Sequence, residues 1–194
     1  MEILNIKNIN IEELEYGKPI QSTFGGQIVS ILKNKNKMYI QTPKCKIPYG
    51  VSNYINFNMD SDTRASEDFK KFLKTFDNKN IETATMHSKQ WFKKLLDKEV
   101  VKDLYKEQLH DNTFVAKFPT KDGKFIGEVF NSCDEPIEAE KIEPGCSIQA
   151  IIECVGMYFI PKQFGITWKI HQVKIFPKEK DITGFSFIDS DEDT

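Results

Sequence analysis

The chain has 194 residues and a net charge of −2, and this length most simply indicates one domain with a sizeable core. No stretch approaches the roughly 20 apolar residues of a membrane helix, and the first residues lack the basic start and apolar run of a secretory leader. The four cysteines are scattered, with no C-x-x-C pair and no histidine close by in sequence. We therefore expect an intracellular protein with reduced thiols, no metal site and no cofactor.

The first part of the chain predicts three strands. The string STFGGQIVSIL, which ends at residue 32, indicates a strand bent at its paired glycines, because glycine permits a bulge. A second strand over residues 38–42 ends at a proline, and the two prolines and the glycine of residues 43–50 indicate a loop. Residues 53–60, NYINFNMD, alternate polar and apolar side chains, which is typical of a half-buried strand.

A helical segment over about residues 62–111 is predicted next. Ser66 is the expected N-cap of a first helix, in which phenylalanine and leucine recur at helical spacing. The polar run 77–80, Asp-Asn-Lys-Asn, is predicted to break this helix. A second helix over residues 81–96 and a third over residues 99–109 complete the segment.

The remainder of the chain predicts strands again. They cover residues 113–118, 124–130, 147–160 and 166–176. The first two flank a Lys-Asp-Gly turn that is typical of a hairpin, and Gly156 indicates a bulge in the third. Simple alternation in the last strand places Trp168, Ile170, Gln172 and Lys174 on one face.

The order of these elements is strands, helices, strands. We predict a mainly β fold with a helical insertion (α+β), specifically an oligonucleotide-binding (OB)-like five-stranded barrel with an enlarged helical insertion between strands 3 and 4. An open β-sandwich accommodates the same order. The expected organisation is a single OB-like domain over residues 1–178 followed by a flexible acidic tail over residues 179–194.

Catalysis has little support in the sequence. The phosphate-loop, dinucleotide-binding, zinc-protease and nucleophile-elbow motifs do not occur. Acids such as Asp60 and Asp62 stand where strand ends and helix starts normally place solvated carboxylates. We therefore expect a protein that is not an enzyme.

Lysines interleaved with aromatic rings point instead to nucleic acid. A single-strand binder needs cations along the phosphates and flat rings on which bases stack. The candidate nucleic-acid-binding residues are Lys33, Lys35, Lys37, Tyr39, Lys44, Lys46, Tyr49 and Tyr54 in the first part of the chain, and Tyr158, Lys162, Phe164, Trp168, Lys169 and Lys174 in the last two strands. Two alternatives stay open: Trp168 is more often a core or hairpin-packing residue, and the lysine run is equally a solvated hairpin.

The last residues of the sequence carry a contrasting charge. Residues 179–194 have a net charge of −5, whereas residues 1–178 have a net charge of +3. Such a segment can occupy a basic groove until a polyanion displaces it, although many acidic termini only aid solubility. The candidate partner-binding residues of this tail are Phe185, Phe187, Asp189, Asp191, Glu192 and Asp193.

Three strings carry a resemblance to a known family. They are YIQTPKCKIPYGVSNY (39–54), HSKQWFKKLLDKEVVKDLY (87–105) and CVGMYFIPKQFGITWKIHQVKI (154–175). They resemble the single-stranded DNA-binding proteins of nucleocytoplasmic large DNA viruses, which are similar in plan to phage replication proteins with acidic C-terminal tails. The resemblance covers about residues 20–176.

The resemblance implies an OB-like core that coats single-stranded DNA, without reading its sequence, during viral replication, recombination or repair. It also implies a tail that regulates binding and recruits replication proteins, and a location in the host cytoplasm, a viral factory or the nucleus. Membrane contact is not expected, and a homo-oligomer is left open. The alternative is a viral structural, scaffold or replication accessory protein that acts through protein–protein contacts.

Overall fold

The computed structural model describes residues 2–22 and 25–176. The helices are α1 (Arg64–Met86), α2 (Ser88–Trp91) and α3 (Lys98–Leu104), with short 3₁₀ turns at Ile6–Asn8, Ile11–Glu13 and Ala139–Lys141. The strands are β1 (Ile3–Leu4), β2 (Leu14–Tyr16), β3 (Ile20–Gln21), β4 (Gln27–Val29), β5 (Ile31–Lys33), β6 (Asn36–Lys37), β7 (Tyr39–Gln41), β8 (Cys45–Lys46), β9 (Tyr54–Asn58), β10 (Tyr105–Lys106), β11 (Leu109–His110), β12 (Thr113–Lys117), β13 (Thr120–Lys121), β14 (Lys124–Phe125), β15 (Glu128–Phe130), β16 (Ser147–Ile160) and β17 (Gln163–Phe176).

A closed five-stranded barrel organises the fold. The long strands β16 and β17 pair antiparallel along almost their whole length, and β17 runs parallel to β12. Strand β12 pairs antiparallel with β9, and β9 pairs with β8. Strands β7 and β8 then return to β16 as one interrupted barrel strand, which closes the ring. The predicted OB-like barrel is confirmed. The helices lie between β9 and β12, which is after the third strand predicted from the sequence but after the second of the five strands that close the barrel, because the first predicted strand is not one of those five.

The core follows from the period-two pattern of the strands. In β9 the alternate residues Ile55 and Phe57 are fully buried, while Tyr54 faces solvent. The ring of Phe57 lies 5.7 Å from that of Phe114 on β12, and α1 adds Phe69, whose ring is 5.4 Å from Phe114. Each such side chain contributes about 1.5–3 kcal/mol when fully buried, so α1 is held on the barrel chiefly by its aromatic stripe.

The predicted break in the first helix is wrong. Helix α1 starts one turn earlier than expected, with Thr63 Oγ1 accepting the backbone N–H of Ser66 at 3.2 Å, and it continues through residues 77–80. The reason is that Asp77 and Asn80 are buried and make long-range hydrogen bonds rather than a turn. Tertiary hydrogen bonding therefore outweighs the low helix propensity of these residues. The second and third helices shorten to α2 and α3.

Two irregularities shape the long hairpin. The predicted bulge at Gly156 is confirmed by a register shift there and a φ of +138°. A second shift leaves His171 opposite no residue of β16, because Ile151 pairs with Gln172 and Ile152 with Ile170. Before the shift the buried residues of β17 have even numbers, and after it they have odd numbers. Gln172 and Lys174 therefore face outward, on the opposite side of the strand from the buried Trp168. The prediction that these three residues share one face is wrong for this reason.

None of the helices in the described ranges is long and apolar enough to span a membrane. Within the same ranges, no three His, Cys, Asp or Glu side chains lie close enough to hold a metal ion.

Candidate nucleic-acid interface

An open groove of about 1270 Å³ runs along the seam between β12 and β17. These strands are paired only where Lys117 meets Lys169. Beyond that point, β10 pairs with β17 and β11 pairs with β12, so the short segment 105–110 fills the gap between them. The groove is the outer side of this seam, and the start of β9 and the tip of the β16–β17 hairpin also line it.

A buried hydrogen-bond network supports the floor of the groove. The Asp77 carboxylate accepts bonds from Tyr105 Oη and Gln108 Nε2, both at 2.6 Å, and from the Gln108 backbone N–H at 3.2 Å. Gln108 Oε1 in turn accepts the indole N–H of Trp168. Burial raises the pKa of Asp77 and of Tyr105. The network ties α1, the segment 105–110 and β17 together, so the floor is preorganised.

Two tyrosines provide aromatic surface in the groove. Tyr54, at the start of β9, is 50% exposed, and Tyr158 on β16 is half-buried. The Tyr158 hydroxyl accepts a bond from Gln163 Nε2 at 3.3 Å, and burial raises its pKa, so the phenol is neutral at physiological pH. Opposite it, Gly165 leaves space for the ring, because a Cβ there would lie 3.1 Å from the Tyr158 hydroxyl.

The charges of the groove are mixed. The lining includes three lysines, Lys106, Lys117 and Lys162, and also three acids, Asp103, Glu107 and Asp111. The groove therefore carries cations for phosphates without a strongly positive overall field.

A row of residues that pair across neighbouring strands extends from the groove around the outside of the barrel. It runs from Tyr54 through Lys117, Lys169 and Glu153 to Tyr39, one residue from each of five strands. Cross-strand partners point to the same side of a sheet, so these side chains form a continuous outer band.

The acid in this band, Glu153, is only 5% exposed but fully paired. Its carboxylate lies 2.8 Å from Lys37 Nζ and 2.6 Å from His171 Nε2, and the Tyr39 ring packs edge-on against His171 at 5.3 Å. Burial raises the pKa of Glu153, but the hydrogen bonds and charges of Lys37 and His171 outweigh it and leave the pKa lowered. The carboxylate is thus neutralised by its neighbours.

The predicted site residues separate into several places. Tyr54, Tyr158 and Lys162 meet in the groove. Six others lie on β6, β7, β8, β17 or the β7–β8 loop, around the outer side of the barrel: Lys37, Tyr39, Lys44, Lys46, Lys169 and Lys174. Lys33 is ion-paired with Glu13 at 3.1 Å and Lys35 lies in the β5–β6 turn, so neither lines the groove. Tyr49 is 68% exposed in the loop after β8.

Phe164 and Trp168 are wrong as base-stacking residues. Phe164 is 0% exposed and Trp168 is 2% exposed, because both belong to the inward set of β17. Phe164 stacks on Phe159 with ring centroids 5.3 Å apart, and Trp168 packs against Phe76 at 6.2 Å. Trp168 borders the groove at its floor, but with 2% of its surface exposed it cannot stack on a base, so the core interpretation of Trp168 is the correct one.

Two lysines of the groove were not predicted from the sequence. Lys117 follows Val115 in the outward set of β12, and the alternation of the predicted strand 113–118 was a sufficient signal for it. Lys106 carried no such signal, because it was predicted to lie in a helix and instead belongs to β10. The predicted tail residues Phe185, Phe187, Asp189, Asp191, Glu192 and Asp193 lie outside the described residues.

Comparison with known proteins finds a matching sequence family, a viral relative and solved structures of similar fold. The sequence model of a family of unknown function (DUF5871) matches residues 51–189. "Uncharacterized protein L291" of Acanthamoeba polyphaga mimivirus is 28% identical over 172 residues, which are 79% of this chain but 28% of that protein. The chain thus spans about a quarter of the length of this curated relative.

Solved structures of phage proteins are similar to this chain. The single-stranded DNA binding protein gp2.5 of bacteriophage T7 superposes with a TM-score of 0.52 at 11% identity, over 74% of this chain and 93% of that one. The single-stranded DNA-binding protein of bacteriophage Enc34, as a C-terminal truncation, gives a TM-score of 0.47 at 14% identity, over 89% and 98%. The T7 likeness supports the OB-like fold. Membership of a single-stranded DNA-binding family of large DNA viruses stays a prediction.

Proposed function

We propose that this chain, which belongs to the DUF5871 family, binds single-stranded DNA without reading its sequence along most of the bound strand. The observation that carries the proposal is the groove in which Tyr54, Tyr158, Lys117 and Lys162 come together on an OB-like barrel. OB-folds bind oligonucleotides on an outer face and its adjoining loops. The fold shared with the T7 protein, whose name states single-stranded DNA binding, further supports it.

In this proposal, stacking of bases on tyrosine rings supplies most of the affinity, and lysines hold the phosphates of the DNA strand in place. Bases that stack on Tyr54 and Tyr158 each contribute about 1–3 kcal/mol, and this interaction tolerates any sequence because every base has a flat face. Lys106, Lys117 and Lys162 neutralise phosphates along the groove, and Lys169 continues the path onto the outer band. In this scheme the protein coats DNA and performs no chemistry on it.

The number of lysines in the groove predicts how strongly the affinity for DNA depends on salt. For single strands, the slope of log K against log salt is roughly −0.7 per phosphate neutralised. Four lysines therefore correspond to a slope of about −3. The acids Asp103, Glu107 and Asp111 keep the slope from being steeper.

The acidic segment 179–194 completes the proposal. With a net charge of −5, it competes with DNA for the lysines of the groove, and Phe185 and Phe187 offer an aromatic contact to replication proteins once it is displaced. The matching mimivirus protein supports a viral setting. The protein would then act on viral DNA in replication, recombination or repair, in the host cytoplasm, a viral factory or the nucleus.

Fluorescence anisotropy of a labelled oligo-dT tests the function. The oligonucleotide is about 30 nucleotides long, which exceeds the roughly 4–16 nucleotides that an OB-fold covers. We expect salt-sensitive binding with little competition from duplex. No binding at low salt, by the full chain or by a variant without residues 179–194, would reject the function. It would favour the alternative of a viral structural or accessory protein that works through protein contacts.

Paired lysine variants locate the site in the same assay. Lys117→Ala with Lys162→Ala removes two groove cations, so the salt slope falls by about 1.4 and affinity falls with it. The matched control is Lys33→Ala with Lys35→Ala, which removes the same charge away from the groove. Equal effects of the two pairs would show that binding is diffuse and that the groove is not the site.

A further inference from the structure

A second, smaller cleft lies on the outside of the barrel, and it shares no lining residue with the groove. Its volume is about 250 Å³, below the roughly 300–1,000 Å³ of pockets for drug-sized ligands. It therefore has room for about one ring system. The residues around it are Gln41, Phe130, Asp134, Gln149, Ala150, Ile151, Gln172, Val173 and Lys174.

The irregularity at His171 creates this cleft. Because the register shift turns Gln172 and Lys174 outward, they join Gln41 and Gln149 on neighbouring strands. Gln41 and Gln172 both pair with Ile151, and Gln149 pairs with Lys174, so three amides converge on one place. The half-buried Phe130, which pairs with Lys174 on the other side, adds an aromatic wall.

The amides of this cleft are available to a ligand. Gln172 Nε2 already donates to Glu128 Oε2 at 2.7 Å. In contrast, the side chains of Gln41 and Gln149 make no hydrogen bond to any residue within 2–22 or 25–176. A glutamine amide offers a donor and an acceptor side by side, and this pair matches the N6 and N7 edge of adenine. The cleft thus combines a ring-sized volume, an aromatic wall and base-complementary amides.

The outer band connects the cleft to the groove. Lys169 pairs with the groove residue Lys117, and Gln172 lies three residues further along the same strand. At about 3.3 Å per residue this step is roughly 10 Å. Lys44 and Lys174 both lie over the Phe176 ring, at 4.7 and 5.9 Å, which places a second cation beside Lys174 of the cleft. A strand that leaves the groove over Lys117 and Lys169 therefore reaches the cleft, where Lys174 is ion-paired with Asp134 at 2.5 Å.

We propose that this cleft binds one nucleobase of the same DNA strand, with adenine preferred, through the amides of Gln41 and Gln149. This inference rests on the proposed function, since it needs a strand in the groove. It adds one position of base preference to binding that is otherwise independent of sequence. It also gives a role to the lysines of β17 that do not line the groove.

Two measurements on the full chain test the proposal. Side-chain amide resonances of Gln41, Gln149 and Gln172 are followed by NMR during titration with oligo-dA or oligo-dT of about 15 nucleotides. Affinities for the same probes are compared between the wild type and the Gln41→Ala, Gln149→Ala double variant. Loss of two hydrogen bonds corresponds to about a tenfold weaker binding of oligo-dA. The change for oligo-dT should stay within about twofold, and Gln90→Ala, an exposed glutamine on α2, is the matched control.

The possible outcomes distinguish a failure of the cleft proposal from a failure of the proposed function. Shifts of the cleft amides with oligo-dA, together with the selective loss in the double variant, support the proposal. Shifts of backbone amides in the groove, at Val115 and Lys117, without shifts of the glutamines overturn the cleft and leave the function standing. Equal losses for oligo-dA and oligo-dT overturn the adenine preference and with it the proposal. No shift at either place overturns both the cleft and the proposed function.

Discussion

Asp77 is a buried carboxylate whose partners are neutral donors. It sits inside α1, accepts bonds from Tyr105 and Gln108, and fixes the segment that floors the groove. A charged group in such a place costs free energy unless it is fully hydrogen-bonded. The three donors offset part of that cost, and burial still leaves the pKa of Asp77 raised.

The raised pKa of Asp77 predicts a pH-dependent contribution to stability. Because the folded-state pKa lies above the unfolded value of about 3.9, the folded state holds the proton more tightly. The resulting stabilisation is full below about pH 3.9 and is lost as the pH rises through the folded-state pKa. Asp77→Asn, which stays neutral, should lack this dependence.

The pH dependence of stability that Asp77 contributes is measured by urea unfolding of the wild type and Asp77→Asn from about pH 4 to pH 7. We expect the stability of the wild type relative to the variant to fall as the pH rises. Asp103→Asn, which replaces an exposed acid of the groove, is the control for the loss of a carboxylate at the surface. A wild type that gains relative stability with pH would contradict the assignment.

At the scale of elements, the alternating strands were predictable and the exceptions were not. The pattern NYINFNMD correctly predicts β9, and the apolar run 147–160 correctly predicts β16. A strand buried on one face alternates apolar and polar residues, and a strand buried on both faces is apolar throughout, so both patterns can be recognised in the sequence. The continuation of α1 through Asp77 and Asn80 could not be predicted, because their partners Tyr105 and Tyr16 are distant in sequence. The irregularity at His171 could not be predicted either, because it depends on how β17 pairs with β16. It turns the side chains of Gln172 and Lys174 to the outside of the barrel.

The bulge at Gly156 provides a stability prediction at this scale. A Cβ at this position would lie 2.4 Å from the Val29 carbonyl oxygen, and its φ of +138° disfavours any other residue. Gly156→Ala should therefore lower the free energy of unfolding by about 2–3 kcal/mol.

Gly25→Ala is the matched control for this substitution. Gly25 also has a positive φ, +88°, but a Cβ added there would have no neighbour within 4 Å among the residues that the structure describes, so only backbone strain of about 1 kcal/mol is expected. Thermal or urea unfolding measures both variants. Equal losses would show that the contact between β16 and Val29 does not constrain position 156.

At the scale of the whole molecule, a barrel with a groove of mixed charge is joined to an acidic segment. The sequence predicted the fold class and three exposed or half-buried groove residues, Tyr54, Tyr158 and Lys162, because aromatic and basic side chains at strand ends and turns are visible without a structure. A fourth predicted residue, Trp168, borders the groove but is buried. It could not place the lysines of β6 to β8 relative to the groove, because barrel closure decides which strands are neighbours. The groove itself arises where β12 and β17 separate, a feature of topology alone.

Competition by the acidic segment predicts tighter DNA binding when residues 179–194 are removed. The gain should be larger at low salt, because charge competition is screened as salt increases. Anisotropy with oligo-dT at about 50 and 200 mM salt measures it. As a control that keeps the chain length, Asp189, Asp191 and Asp193 are replaced by Asn and Glu192 by Gln. Weaker binding by the shortened chain would contradict competition.

The central claim is that DNA bases stack on the two tyrosines of the groove. The most direct measurement is the affinity for oligo-dT of Tyr54→Ala with Tyr158→Ala, compared with Tyr49→Ala, which removes an exposed ring outside the groove. With at least about 1 kcal/mol per stacked base, the double variant should bind about 30-fold more weakly or worse, while Tyr49→Ala changes little. A folded double variant that binds like the wild type would contradict the claim.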